Sequence, residues 1–277
     1  MNGKRKQISM LIAIVGLALS MLCLCGCQSS SNSSAAESSN ENLPELRIGV
    51  DLLKPYFYLD RNGEYQGIDA EIAKEACSRA GYKPVFVNLP WSERDAYLAD
   101  GSIDCIWTAF VMDGREQDYL WTNPYLYSKE ALIVDSRCPS DSLSSFNGPG
   151  GIAVRANSKA EELIAGKLPD AIRTTNIHTY GTFDMATTAF VKAYTDGLAG
   201  HRIVLQEIMN EYPDRYRYLD ENLATLSLGV AFAPTNSECR NDIDAALASM
   251  KEDGTLSGIV SKYDQGHTCV EAAHDAS

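Results

Sequence analysis

The amino-acid sequence predicts an α/β protein of two lobes that are joined by two extended crossover strands. Short apolar runs alternate with amphipathic stretches along the chain, a pattern typical of α/β architecture. A run rich in Ser, Pro and Gly at 136–151 interrupts this alternation, which then resumes. We therefore place the first lobe at 45–134, the second lobe at 135–228 and a segment returning to the first lobe at 229–266.

The N-terminal segment has the pattern of a secretory signal over 1–26. Basic residues at 4–6 precede an almost wholly apolar run at 10–24, which is too short for a comfortable membrane span. The run ends in Leu-Cys-Gly-Cys, which is close to a lipobox, so we expect Cys27 to carry acyl chains and anchor the protein to the membrane. The alternatives are an uncleaved anchor and a plain secretory signal.

Residues 27–44 are rich in Ser and predict a flexible tether, because they cannot bury enough apolar surface to fold. The chain from Cys27 onward has 251 residues, which is sufficient for two modest lobes. Loss of the leader lowers the formal net charge from −13 to −16, which disfavours binding to nucleic acid or anionic membrane surfaces. We expect a monomer.

Five cysteines follow Cys27, and none has the spacing of a zinc site or a CxxC redox motif. The pattern therefore predicts no metal and no cofactor. Export permits disulfides, and Cys239 with Cys269 would close a C-terminal loop, with at least one other thiol left free. Residues 267–277 form a predicted C-terminal tail.

The elements of the first lobe follow from apolar periodicity and turn residues. A turn at 60–63 precedes a predicted helix over 68–80, in which Ile68, Ile72 and Ala76 recur at helical spacing. The other elements expected here are strands at 46–50, 84–88, 103–107 and 131–135 and a short helix at 92–98.

The second lobe repeats the alternation, and the chain then returns. Its expected elements are a strand at 152–154, a helix at 158–164, an extended segment at 172–177, a helix at 184–193 and a short buried run at 197–199. A strand at 226–232 is the return crossover, followed by helices at 240–251 and from 255. Two crossovers place the deepest cleft between the lobes, where small-molecule sites concentrate.

Seven ordered motifs give most of the folded body a family resemblance. They are LRIGVD at 46–51, NGEYQGID at 62–69, PW at 90–91, DGSIDCIW at 100–107, GREQD at 114–118, WTNPY at 121–125 and MKEDGTL at 250–256. In this order they resemble the family 3 solute-binding proteins, the bacterial receptors of polar amino-acid ABC importers. The resemblance implies a type II periplasmic-binding-protein (venus-flytrap) fold, an extracytoplasmic location and docking on a permease. It also implies a binding protein for an amino acid or related small carboxylate, not an enzyme.

The resemblance implies a grip on the ligand's carboxylate. Arg115 matches the family's carboxylate-binding arginine, whose guanidinium can donate two parallel hydrogen bonds. The alternative is a surface arginine paired with Glu116 or Asp118. Ser158 lies at a predicted helix start, where free N–H groups attract an anion, and it could equally be a simple N-cap.

Other matched positions have implied roles in the cleft. Trp91 matches the aromatic wall that stacks on the ligand, with a core tryptophan as the alternative. Asp51 could reach a cationic group at the cleft mouth, or be a solvated turn residue. Thr108 would offer its carbonyl to an ammonium, as the equivalent residue of the family does.

Four positions depart from the family pattern. His201 stands where many members hold an acidic residue for the ammonium, and Phe110 stands where a threonine or serine is usual. Lys54 replaces an aromatic residue, and Arg155 is expected to face the pocket. With Arg115, three of these would form a cationic cleft for an anionic ligand, namely Lys54, Arg155 and His201. A shifted register would instead leave Asp184 or Asp196 to bind the ammonium.

Two other functions remain open from the sequence. Exported cyclohexadienyl or arogenate dehydratases resemble the same family, and general acid chemistry there would need a cleft Glu, Asp or His. His201 is the histidine that we expect in the cleft, and no nucleophile–base motif is visible. A sensory role would require a separate receptor kinase.

Overall fold

The computed structural model describes residues 43–142, 145–166, 177–219, 223–264 and 269–271. The predicted signal peptide, Cys27 and the tether up to residue 42 lie outside the described residues. The folded body is one compact unit from Pro44 onward. Within it, most strands belong to two large sheets.

The described strands, in chain order, are β1 (Glu45–Val50), β2 (Tyr58–Leu59), β3 (Tyr65–Gln66), β4 (Lys83–Asn88), β5 (Cys105–Ile106), β6 (Leu120–Trp121), β7 (Leu126–Asp135), β8 (Ile152–Arg155), β9 (Ile177–Tyr180), β10 (Gly197–His201), β11 (Tyr216–Tyr218), β12 (Ala224–Leu228), β13 (Ala231–Phe232) and β14 (Cys269–Glu271). The described helices are α1 (Ile68–Ala80), α2 (Arg94–Ala99), α3 (Lys159–Gly166), α4 (Phe183–Val191), α5 (Arg202–Glu211), α6 (Ser237–Glu252) and α7 (Thr255–Val260). None of the helices in the described ranges has the length and apolar character needed to cross a bilayer.

The first lobe is built on a five-stranded sheet in the order β4-β1-β5-β13-β6. β1 is parallel to β4 and β5, whereas β13 is antiparallel to β5 and β6. Helix α1 buries Ile68, Ile72 and Ala76 and ends at Gly81, whose φ of 77° suits a glycine at a helix C-terminus. Helices α6 and α7 pack beside α1.

The second lobe is built on a seven-stranded sheet with the central order β11-β7-β10-β8-β9, and β12 and β14 also pair with β7. β7 and β10 are antiparallel, and β10, β8 and β9 are parallel. Helices α3, α4 and α5 contact strands of this sheet. The predicted α/β architecture of two lobes is confirmed.

The chain enters the second lobe earlier than predicted. β6 belongs to the first sheet and β7 to the second, so the first crossover lies at 122–125 and the boundary at 134 is wrong. The apolar run at 131–135 is only the second half of the 10-residue strand β7. The run at 136–151 is therefore a connection within the second lobe.

The return crossover lies at 229–230, between β12 of the second sheet and β13 of the first. The single strand predicted at 226–232 is thus two strands on different sheets. Part of the predicted C-terminal tail, Cys269–Glu271, forms β14 against β7.

The predicted disulfide between Cys239 and Cys269 is not formed. Cys239 is a free thiol on α6, and its Sγ lies 3.3 Å from the Tyr82 hydroxyl. The backbone of Cys269 pairs with β7 of the second lobe, opposite Ser128. Across the described ranges, no group of three or more His, Cys, Asp or Glu side chains could hold a metal ion.

Candidate functional site

A small cavity of about 30 Å³ lies between the two lobes. Its walls include Leu53, Trp91, Ala109 and Arg115 of the first lobe and Glu130, Arg155, Ser158, Lys159 and His201 of the second. This space holds only about two water molecules. An amino-acid-sized molecule therefore enters only when the lobes separate or a lining side chain moves.

Hydrogen bonds across the cleft hold the lobes together beside the cavity. Trp91 Nε1 donates to the Asn157 carbonyl at 3.1 Å, from the first lobe to the second. Lys159 Nζ donates to the Asp113 carbonyl at 2.8 Å, from the second lobe to the first. Both donors lie on the cavity wall, so the conformation is a closed one.

Arg115 lines the cavity, and its side chain is 15% exposed. Its guanidinium makes two long contacts, at 3.4 Å to the Val111 carbonyl and at 3.8 Å to Glu162. Glu116, one of the alternative partners, instead accepts the Gly114 N–H at 2.9 Å. The Arg115 guanidinium is therefore held in the cavity by weak contacts that an anionic ligand can replace.

Ser158 caps helix α3 and also lies on the cavity wall. Its hydroxyl accepts the Glu161 N–H at 3.2 Å, which is the N-cap geometry. The N–H groups of the first helical turn have no partner within a helix, and here that turn begins with Lys159 and Ala160, which line the cavity. The N-cap role and a role in attracting an anion are thus compatible.

Trp91 forms the aromatic wall of the cavity, and Phe110 lies behind it. Trp91 is 5% exposed, and the Arg155 guanidinium lies 4.5 Å from its ring centroid. Phe110 packs edge-on against Trp91 at 5.0 Å and also contacts Trp121. Phe110 is not among the residues on the cavity wall, and its ring fills the apolar core beneath the tryptophan.

Arg155, which is buried, and Asp51, which is partly buried, form an ion pair between the lobes. Burial raises the pKa of Asp51 and lowers the pKa of Arg155, and the attraction between the two opposes both shifts. Thr108 is 2% exposed and donates its hydroxyl to the Asp51 carbonyl at 3.0 Å. Thr108 therefore positions Asp51, while its neighbour Ala109 is the residue on the cavity wall.

Two non-glycine residues of the cavity wall have left-handed backbone conformations, Ala109 with φ 46° and Asn157 with φ 58°. Such conformations persist only where surrounding contacts enforce them. For Ala109 the contact comes from Asp69, which accepts its N–H at 2.6 Å and the Tyr125 hydroxyl at 2.9 Å. Burial raises the pKa of Asp69 to about 7. Asp69 thus shapes the site without reaching it.

Glu130 was not predicted as a site residue, yet it lines the cavity beside His201. The antiparallel register of β7 and β10 pairs the two residues directly, and His201 Nδ1 lies 3.0 Å from Glu130 Oε1. Ser128 Oγ also lies 2.9 Å from this nitrogen. Polar residues at 128 and 130 on the buried face of β7 were a usable signal, but the predicted strand began too late to include them.

Burial determines the charges of His201 and Glu130. It lowers the pKa of His201 to about 3, helped by the positive charge of Arg155. It also raises the pKa of Glu130 to about 8, which Arg155 partly opposes. The histidine is therefore neutral at pH 7, and it does not repel a cation in the cavity.

The predicted cationic cleft is wrong in consequence. The Lys54 side chain is 60% exposed, lies outside the cavity and pairs with Glu207 at 2.7 Å. Arg155 is neutralised by Asp51, and His201 is uncharged. The shifted-register alternative also fails, because Asp184 and Asp196 are not on the cavity wall.

Sequence and structure comparisons identify the family. The family model for bacterial extracellular solute-binding proteins, family 3, matches residues 46–266. The chain is 23% identical over 216 residues to a putative ABC transporter arginine-binding protein 2 of Escherichia coli K12, covering 76% of this chain and 86% of that protein. It is 25% identical over 241 residues to a probable amino-acid-binding protein of Bacillus subtilis 168, YxeM, covering 86% and 90%.

A solved structure agrees with the observed fold. The crystal structure of Tv2483 bound to L-arginine matches with a TM-score of 0.72 and 25% identity, covering 83% of this chain and 93% of that one. The two-lobed periplasmic-binding-protein fold is thereby confirmed. These relatives are binding proteins and not enzymes. The chain therefore belongs to the bacterial extracellular solute-binding proteins of family 3.

Proposed function

We propose that the protein is the extracytoplasmic receptor of an ABC importer and binds an amino acid or a related small carboxylate between its lobes. The main support is the position of Arg115, whose guanidinium lines the interlobe cavity and makes only long contacts to its neighbours. The names of the relatives, which bind arginine or amino acids, support the same class of ligand.

The ligand's carboxylate would bind where two features meet. Arg115 can donate two parallel hydrogen bonds to one carboxylate. The first turn of helix α3, at Lys159 and Ala160, adds N–H groups and the positive end of the helix dipole. Trp91 would then cover the ligand's apolar surface. Binding would favour the closed state, because these groups come from both lobes.

We further propose that Cys27 carries the lipid that holds this receptor at the membrane, with residues 27–44 as the tether. The basis is the sequence pattern of signal, lipobox and Ser-rich segment. The receptor would act as a monomer and deliver its ligand to a membrane permease. Metabolic labelling with palmitate tests the anchor, and Cys27→Ala should abolish the label and release the protein from membranes.

Binding is tested first by thermal shift with each of the twenty standard L-amino acids. A ligand that binds only the folded state raises Tm. The tightest binder is then titrated by calorimetry into wild type and Arg115→Ala. We expect Arg115→Ala to weaken binding by more than about tenfold, because a buried charged pair loses one partner.

Arg137→Ala is the matched control, since Arg137 is 89% exposed and pairs with Asp135, and neither residue is on the cavity wall. It should bind like wild type. Unchanged affinity of a folded Arg115→Ala variant would overturn the carboxylate assignment. Turnover of prephenate or arogenate on incubation with the protein would instead favour the dehydratase alternative.

A further inference from the structure

One oxygen of Glu130 has no hydrogen-bond partner, although it is buried at the cavity wall. Glu130 is 2% exposed, and its Oε1 atom contacts His201. Its Oε2 atom is fully buried and, within the described part of the chain, makes no hydrogen bond. A buried carboxyl oxygen without a partner is costly, so the site is arranged for a group that this chain does not supply.

We propose that Glu130 accepts the ammonium group of the ligand, an inference that rests on the proposed function. Glu130 and Arg115 line the same cavity from opposite lobes. An α-amino acid carries an ammonium and a carboxylate on one carbon, and so can satisfy both residues at once. The ligand is therefore a zwitterionic amino acid, and not a carboxylate that lacks an amine.

Glu130 lies next to position 201, where many members of the family hold the acidic residue for the ammonium and this chain has His201. Since the two residues are direct partners in the β7–β10 register, an acid on β7 reaches the space beside His201. The imidazole binds Oε1, which leaves Oε2 for the ligand. Glu130 would thus supply the acidic group from the strand next to His201.

Ammonium binding by Glu130 should release the proton that the carboxyl group holds in the empty site. The titratable and charged groups near Glu130 are His201 of β10, Arg155 of β8 with its partner Asp51, and Tyr56, which reaches Ser128. Burial raises the pKa of Glu130 to about 8, so the carboxyl is mostly protonated at pH 7 in the empty site. A bound ammonium favours the carboxylate and expels the proton. Affinity should therefore rise between about pH 6 and 8.

The test is calorimetry with amino acids and analogues that lack only the α-amine. The probes are L-arginine with guanidinovalerate, L-histidine with imidazolepropionate and L-glutamine with glutaramate. For whichever amino acid wild type binds, the matching deamino analogue should bind at least about tenfold more weakly. For that amino acid, heats in phosphate and Tris buffers should show release of nearly one proton near pH 7.

Glu130→Gln keeps the shape of the side chain and removes its charge. We expect it to weaken amino-acid binding at least about tenfold, to leave the analogue's affinity unchanged and to abolish proton release. Glu207→Gln is the matched control, because Glu207 pairs with Lys54 outside the cavity. It should preserve both affinity and proton release.

The outcomes separate this inference from the function on which it rests. If wild type binds none of the twenty amino acids, the proposed function is overturned, and the inference with it. If Arg115→Ala loses binding but deamino analogues bind wild type as tightly as the amino acids, only the role of Glu130 is overturned. That comparison needs no variant, so it stands even if Glu130→Gln does not fold.

Discussion

At the scale of residues, buried carboxyl groups distinguish this protein's cleft from a simple apolar cavity. Asp69 supports the cavity wall through Ala109, and Glu130 faces the cavity itself. Burial raises the pKa of Asp69 to about 7 and that of Glu130 to about 8. Both groups consequently change charge within the physiological pH range.

These shifts predict a loss of stability at alkaline pH in the ligand-free protein. The folded state holds protons that the unfolded state releases above about pH 4. The pKa of His201 is lowered to about 3, which makes stability rise with pH. This opposite effect operates only below the ordinary histidine pKa of about 6.5. From about pH 6.5 to 8, stability should fall by up to roughly 1.4 kcal/mol per pH unit for each carboxyl still protonated.

Urea denaturation at several pH values in this range measures the slope. Glu130→Gln should reduce the decline, because one of the two carboxyl groups no longer titrates. Glu207→Gln should retain the slope of wild type. Equal slopes for wild type and Glu130→Gln would show that Glu130 keeps an ordinary pKa in the fold.

At the scale of elements, the bounds of an element were predicted best where a nearby residue, such as a glycine, marks its end. Helix α1 was predicted at its observed bounds, since its apolar spacing is regular and Gly81 ends it. β7 was recognised only in its second half, because Ser128 and Glu130 break the apolar run that marks a buried strand. The first crossover was misplaced for the same reason.

The candidate site was predicted only in part. Trp91, Arg115 and Ser158 lie on the cavity wall, as do Arg155 and His201. Glu130 was missed because the predicted strand began too late to include it, and its place opposite His201 depends on the register of two strands far apart in sequence. The pairing of Arg155 with Asp51 is likewise a contact between lobes that no local pattern encodes.

Asp69 links helix α1 to the end of β5, and this link is open to a direct test. Asp69→Ala leaves the Ala109 N–H without its acceptor in the core, so we expect a loss of at least about 2 kcal/mol in unfolding free energy. Asp60→Ala is the comparison, since Asp60 accepts N–H groups in an exposed turn. It should cost less, and an equal cost would contradict the supporting role of Asp69.

At the scale of the whole molecule, closure depends on contacts between the lobes. The pair formed by Asp51 and Arg155 is largely buried, whereas the pair formed by Lys54 and Glu207 is largely exposed. Buried ion pairs are costly to break when one charge remains, and exposed ones contribute little. The two pairs should therefore differ sharply in their effect on closure.

Asp51→Ala would leave the Arg155 guanidinium buried without its counter-charge. Loss of such a partner costs about 3–5 kcal/mol, which should shift the ligand-free protein toward an open state. Small-angle X-ray scattering should then show a larger radius of gyration for Asp51→Ala than for wild type. Lys54→Ala should scatter like wild type, and equal opening in both variants would refute this account of closure.

The most direct test of the central claim is a crystal structure with the tightest-binding amino acid. The account predicts the ligand in the interlobe cavity, with its carboxylate within about 3 Å of the Arg115 guanidinium. Its carboxylate should also face the first turn of α3. A ligand bound elsewhere, or in the cavity with its carboxylate turned away from Arg115, would contradict the account.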